Sequence, residues 1–196
     1  KETPGEITVY NTLQSRLDDD YMMWHNVIIP GLNREIDFIL LNPSHGIWVI
    51  EVKDWVIDQI QSVEVQKIKL KTKFRTKKVQ NPIYQARDCW IHLKDKLGKI
   101  DVLTHQDGEH HGNLLMPINY LVVFTNITAT ELIEKKLEDF FYSDITITRN
   151  MIESQVDDSE WQGQFNNKRT VRFIVNNGLN IEQINSIKRT IGTVDV

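Results

Sequence analysis

Two short stretches that are apolar on both faces constrain this chain most. Residues 35–41 and 46–53 suit strands rather than helices, and Asn42-Pro43-Ser44-His45 between them is rich in turn formers. A strand with apolar residues at both alternating positions is covered on both sides, so the pair reads as the buried centre of a sheet. Side chains alternate across a strand, so Asp37 shares a face with Ile39 and Leu41, and Glu51 and Lys53 share one with Ile47 and Val49. If Leu41 opposes Ile47 across the turn, Asp37 opposes Glu51 and Lys53 opposes Glu35. A slip of one residue would turn a whole strand over.

Two opposed carboxylates in apolar surroundings repel each other, and a cation relieves that cost. A hard divalent ion such as Mg²⁺ suits carboxylate oxygens, and an ion held there can polarise a phosphoryl oxygen and activate water. Lys53 would stabilise the developing charge or orient the water. The plain alternative is a set of sheet-edge acids paired with Lys53 and Arg34. Glu6 falls on a helical stripe with Tyr10, Leu13 and Leu17, either as a further carboxylate for the site or as a first-turn acid favoured by the helix dipole. Gln85 stands near the start of a later helix, on an edge shared with Cys89 and His92. It reads as a phosphate- or water-facing amide or as a solvated glutamine.

The remaining pattern is helix (4–18), strand (21–29), the central pair, strands near 56–63 and 65–77, and a helix over 82–97 started by Asn81-Pro82. A polar connection (99–116), a strand (118–124), a helix (129–141), short strands (145–147 and 171–175) and a helix capped by Asn180 complete it. The order predicts an α/β fold with a mixed sheet. One domain is expected over 1–196, with a core of about 4–125 and an extension over 126–196, cut from a longer protein. The single cysteine, Cys89, excludes an internal disulfide and suits a reducing, cytoplasmic setting. No apolar run approaches membrane-spanning length. His110-His111 with Asp107 and Glu109 lack the spacing of a zinc site and read as a solvated loop.

The net charge is −4, yet residues 67–78 hold seven Lys or Arg and no acid, against 16 basic and 27 acidic side chains elsewhere. Lys67, Lys69, Lys71, Lys73, Arg75 and Lys77 fall on alternate residues, with Ile68, Leu70 and Phe74 between. This predicts one strand with a wholly basic face, suited to a phosphate backbone or, more plainly, to protecting a sheet edge.

Pro4-Gly5-Glu6, Asn26-Val27, Pro30, the stretch from Glu35 to Leu40, the stretch from Gly46 to Trp55, and the run from Asn81 to Ala86 occur in an order that resembles the NERD (nuclease-related) domain. The resemblance covers about residues 4–125. It implies a restriction-endonuclease-like mixed central sheet flanked by helices, of the PD-(D/E)XK type. It implies Asp37, Glu51 and Lys53 as the catalytic triad, Glu6 as a supporting metal ligand and Gln85 as the helix glutamine. It further implies Mg²⁺ or Mn²⁺, a nucleic-acid substrate (DNA first, RNA left open), and a neighbouring helicase, kinase or DNA-binding module. The chain departs from the pattern at Ile36, where Pro is usual, and at Val56, where relatives often have Gly. The expected activity is metal-dependent phosphodiester hydrolysis, with a non-catalytic nucleic-acid- or partner-binding module as the rival.

Overall fold

The structure, a computed structural model, describes residues 2–192 apart from 172, 174 and 176. Its elements run α1 (Pro4–Arg16), β1 (Met22–Ile28), β2 (Glu35–Asn42), β3 (Gly46–Lys53), β4 (Ile60–Val63), β5 (Lys67–Lys71), β6 (Thr76–Gln80), α2 (Pro82–Leu97), β7 (Ile118–Phe124), α3 (Ala129–Glu134), β8 (Thr146–Ile147), α4 (Arg149–Ile152), α5 (Asp158–Asn166) and α6 (Ile181–Ile191). One sheet has the order β1-β2-β3-β7-β8, and a second has β4-β5-β6. β1, β2 and β3 are antiparallel neighbours while β7 and β8 are parallel, so the larger sheet is mixed. This is the α/β fold with a mixed sheet that the order of elements predicts, in the restriction-endonuclease-like form that the resemblance implies.

The chain divides into two compact units, one of residues 1–17, 51–86 and 121–169, the other of 18–50, 87–120 and 170–196. In the second unit, β2 and β3 pair as Leu41↔Ile47, Leu40↔Trp48, Ile39↔Val49 and Phe38↔Ile50, the expected register. Both strands bury nearly every residue, which is why no other register competes. Gly46 takes φ +97° at the turn, and a Cβ there would stand 2.2 Å from the Pro117 carbonyl oxygen. Only glycine fits such an approach in that conformation. The core joins these strands to Cys89, Leu93 and Leu97 of α2 and to Leu179, Ile187 and Ile191. The C-terminal stretch also ties down the hairpin turn. Leu179 donates its N–H to the Pro43 carbonyl (2.9 Å), and Trp24 Nε1 donates to the Gly192 carbonyl (3.0 Å).

In the first unit, the end of α1 is anchored by Arg16, which donates to the Ser154 and Val156 carbonyls and pairs with Asp158 at 2.9 Å. The segment 149–170, beyond the stretch that carries the resemblance, holds α4 and α5. Trp161 and Phe165 are buried, and Trp161 Nε1 donates to the Met151 carbonyl. α3 stops at Glu134 rather than near residue 141. Lys136 adopts φ +56°, with Lys136 N–H on the Ile133 carbonyl and Leu137 N–H on the Leu132 carbonyl. That is a Schellman stop made without its usual glycine. At the other end of α3, Thr128 and Glu131 form a capping box. The backbone N–H and then the hydroxyl of Thr128 hold the Glu131 carboxyl below its ordinary value.

The predicted strands at 21–29 and 118–124 and the helices at 82–97 and after Asn180 are present as β1, β7, α2 and α6. The strand predicted at 171–175 falls partly on residues outside those described. Among the described residues, no helix is long and apolar enough to cross a membrane.

Candidate active site

Glu51 and Lys53 lie two residues apart near the end of β3, so both side chains leave the same face of the strand. Glu51 is 5% exposed, on a strand that also buries Ile47, Trp48, Val49 and Ile50. An ionised carboxylate so placed requires a partner, and half-buried Lys53 donates from Nζ to Glu51 Oε1 in an ion pair. The ammonium also stands 5.9 Å from the Trp55 ring centroid, a cation–π distance. Trp55 in turn packs on Phe124. A charged pair is thereby fixed by an aromatic wall rather than left to solvent.

The first turn of α1 packs on this strand end. A Cβ on Gly5 would stand 2.9 Å from Asp54 Cβ, 3.2 Å from Thr125 Oγ1 and 3.4 Å from Val52 Cγ1. The absent side chain explains the glycine in Pro4-Gly5-Glu6: it permits the helix to lie this close. Glu6 itself closes a capping box. Its carboxylate accepts from Thr3 N–H (3.3 Å) and from the Thr3 hydroxyl (3.0 Å), while Glu6 N–H donates to Thr3 Oγ1 (3.2 Å). The buried stripe of α1 is Gly5, Val9 and Leu13, not the stripe through Glu6 and Tyr10 that the sequence suggests. Glu6 therefore sits half-buried beside that stripe.

Asp37 belongs to the second unit, half-buried on β2 before Phe38. The β1–β2 ladder pairs His25↔Phe38 and Val27↔Ile36 and skips the step between them. The residue at that step is Asn26, with φ +55°. Asparagine tolerates the left-handed region better than other non-glycine residues. The strand irregularity thus falls on the β1 residue opposite the candidate aspartate, a place where local distortion often re-aims a side chain.

Gln85 is half-buried in the first turn of α2. Asn81 sets that turn: its Oδ1 accepts from Ile83 N–H (3.0 Å), and its Nδ2 donates to the Val65 carbonyl (3.2 Å). Asn81 N–H also donates to the Gln66 carbonyl. One residue therefore caps the helix and ties it to the turn before β5.

The basic stretch is not one strand. It is the β5–β6 hairpin, with Lys71↔Thr76, Leu70↔Lys77, Lys69↔Lys78 and Ile68↔Val79 paired. Lys67, Lys69 and Lys71 do share an exposed face, as expected. Lys73 and Arg75 lie in the turn, and Lys77, opposite Leu70, falls on the other face. Lys78, outside the alternating set, takes its place beside Lys69. The reversal reflects turn chemistry that carries no glycine, proline or asparagine. The Thr72 hydroxyl donates to the Arg75 carbonyl (2.6 Å) and accepts from Arg75 N–H (3.1 Å), and Thr72 N–H donates to the same carbonyl (2.8 Å).

Cys89 is buried in the core and unbridged. His110 and His111 lie in an exposed turn. Among the described residues, no group of three His, Cys, Asp or Glu could hold a metal ion together. Sequence reasoning gave no role to Trp55, Asn26 or Lys78. The signals are Trp55's place at the end of the Gly46-to-Trp55 stretch, two residues after Lys53, and the doubled Lys77-Lys78.

A family model described as NERD, nuclease-related domain, matches residues 1–125. No curated protein and no solved structure matches the chain significantly.

Proposed function

The chain belongs to the nuclease-related domain family, and from that premise we propose that it hydrolyses phosphodiester bonds in DNA with the help of a divalent metal ion. The observation that carries this is the ion pair of buried Glu51 with half-buried Lys53, a charged couple at the end of an apolar strand. Asp37 is the third member of the proposed catalytic set, on the resemblance of the Glu35-to-Leu40 stretch to the family.

The proposed donors, Asp37 and Glu51, fit Mg²⁺ or Mn²⁺ in chemistry. Both are hard oxygen ligands, and Mg²⁺ is commonly bound by one or two carboxylates with water and substrate phosphate completing its shell. Glu6 would join them only by releasing Thr3. When bound, such an ion polarises the phosphoryl oxygen and acidifies water. The chain's own residues do the rest. Lys53 fixes the Glu51 carboxylate with one N–H and keeps two donors for negative charge developing on phosphate. Trp55 limits where that ammonium can go. The Gln85 amide would orient the attacking water, and the β5–β6 hairpin would hold the phosphate backbone. The buried, unbridged Cys89 suits the reducing cytoplasm, and we place the domain there, beside a helicase, kinase or DNA-binding module.

One observation favours a second reading, a non-catalytic module that binds nucleic acid. Both Glu51 and Glu6 already have internal partners, Lys53 and Thr3. The two readings separate in one assay. Purified full chain and Asp37→Asn are incubated with labelled DNA in Mg²⁺, Mn²⁺ or EDTA. Metal-dependent cleavage lost in Asp37→Asn, with unchanged thermal unfolding, is the expected result. Cleavage that survives the substitution sinks the assignment, and binding without cleavage in any metal selects the module.

A further inference from the structure

We propose that the β5–β6 hairpin places Phe74 in a stack of nucleobases, so that the domain binds unpaired strands in preference to intact duplex. This deepens the nucleic-acid reading above and rests on it. Phe74 is 89% exposed, the most exposed of the large apolar side chains described. It stands at the apex of the hairpin between Lys73 and Arg75, and the Lys73 ammonium lies 5.7 Å from its ring. The three bonds between Thr72 and Arg75 hold the apex in one shape, so the ring is presented without a large ordering cost. Below it, Lys67, Lys69, Lys71 and Lys78 share one face of the stalk. Lysines on alternate strand residues recur at about 6.7 Å, a repeat that a phosphodiester chain can follow. Glu64, 3.7 Å from Lys78, is the acid paired at the foot of the stalk.

Charge and ring together define the ligand. The stalk matches phosphate, and the apex matches the flat apolar face that every base carries. A duplex hides that face, whereas a single strand or frayed end offers it. A lipid surface would also attract the lysines. It would, however, ask for a broader apolar surface than one ring flanked on both sides by cations.

The test uses the full chain in EDTA, with fluorescein-labelled oligothymidine and a duplex of equal length as probes, followed by anisotropy. Phe74→Ala should weaken single-strand binding roughly ten-fold and leave duplex binding and the salt slope nearly unchanged. Phe74→Leu should behave like Phe74→Ala, because it restores bulk without a stacking face. Phe74→Trp should restore affinity, and its added fluorescence should be quenched by the oligonucleotide. Wild-type affinity in Phe74→Ala, or rescue by Phe74→Leu, overturns the inference. So does a Phe74→Trp signal that ignores the oligonucleotide but shifts to the blue on phosphatidylserine–phosphatidylcholine vesicles. A dimer by sedimentation that Phe74→Ala abolishes would overturn it in favour of a second copy of this chain. Failure of the nuclease reading is visible separately, as cleavage retained in Asp37→Asn while the Phe74 series behaves as expected.

Discussion

The β2–β3 and β5–β6 hairpins are built on opposite principles. The β2–β3 hairpin buries both faces, and its turn depends on Gly46 and the Pro117 carbonyl. The β5–β6 hairpin buries Ile68 and Leu70, and otherwise presents charge, with a turn made by one threonine hydroxyl. Packing determines the first, so its register and faces follow from sequence alone. Local hydrogen bonds determine the second, so regular alternation of lysines points to one strand where the chain in fact reverses. Periodicity informs about burial, and it says little past Leu70, where residues 71–80 bury no side chain.

That contrast can be broken by experiment. The largest effect is expected for Gly46→Ala. Strain at φ +97° and a clash with the Pro117 carbonyl together should cost about 4 kcal/mol in urea unfolding. A loss under a quarter of that would mean the turn yields. Next comes Lys53→Ala, which strands a buried carboxylate and should cost about 3 kcal/mol. Pairing it with Glu51→Gln should recover most of that loss, and no recovery would show that the ion pair is not the cause. In the exposed hairpin, Lys67, Lys69 and Lys71 replaced together by Ser should change stability by no more than about 0.5 kcal/mol per site. The salt slope of DNA binding should fall by about one per lysine. A large stability loss there would erase the distinction between the hairpins.

The smallest effect belongs to neither hairpin. Hydrogen bonds from Thr128 lower the folded-state value of the Glu131 carboxyl. Its contribution is therefore present above the ordinary carboxylate range and lost as pH falls through the lowered value. Glu131→Gln should remove that small contribution at neutral pH and change little at low pH, where the carboxyl is already protonated, so the acid side of the stability curve flattens slightly, as followed by circular dichroism.

Other elements divide along the same line. α2 was legible because Asn81-Pro82 is a strong start and its apolar residues recur at helical spacing. The early end of α3 was not, because the left-handed residue that stops it is Lys136 rather than glycine. In the candidate site, the shared face of Glu51 and Lys53 follows from alternation. Their ion pair and the Trp55 ring beside it depend on side-chain conformations that no spacing rule encodes. The helical stripe of Glu6 fits either a site carboxylate or a first-turn acid, and the capping geometry with Thr3 shows what occupies it in the fold.

The bonds from the C-terminal stretch to the β2–β3 turn and to β1 carry a practical warning. The family match ends at residue 125, yet Leu179 holds the Pro43 carbonyl and Gly192 accepts from Trp24. Ile187 and Ile191 fill the same core as Ile39 and Val49. A fragment trimmed at the edge of the match would keep every candidate catalytic residue and still expose the interior of the second unit. The boundary that defines kinship in sequence is not the boundary at which this polypeptide can be cut.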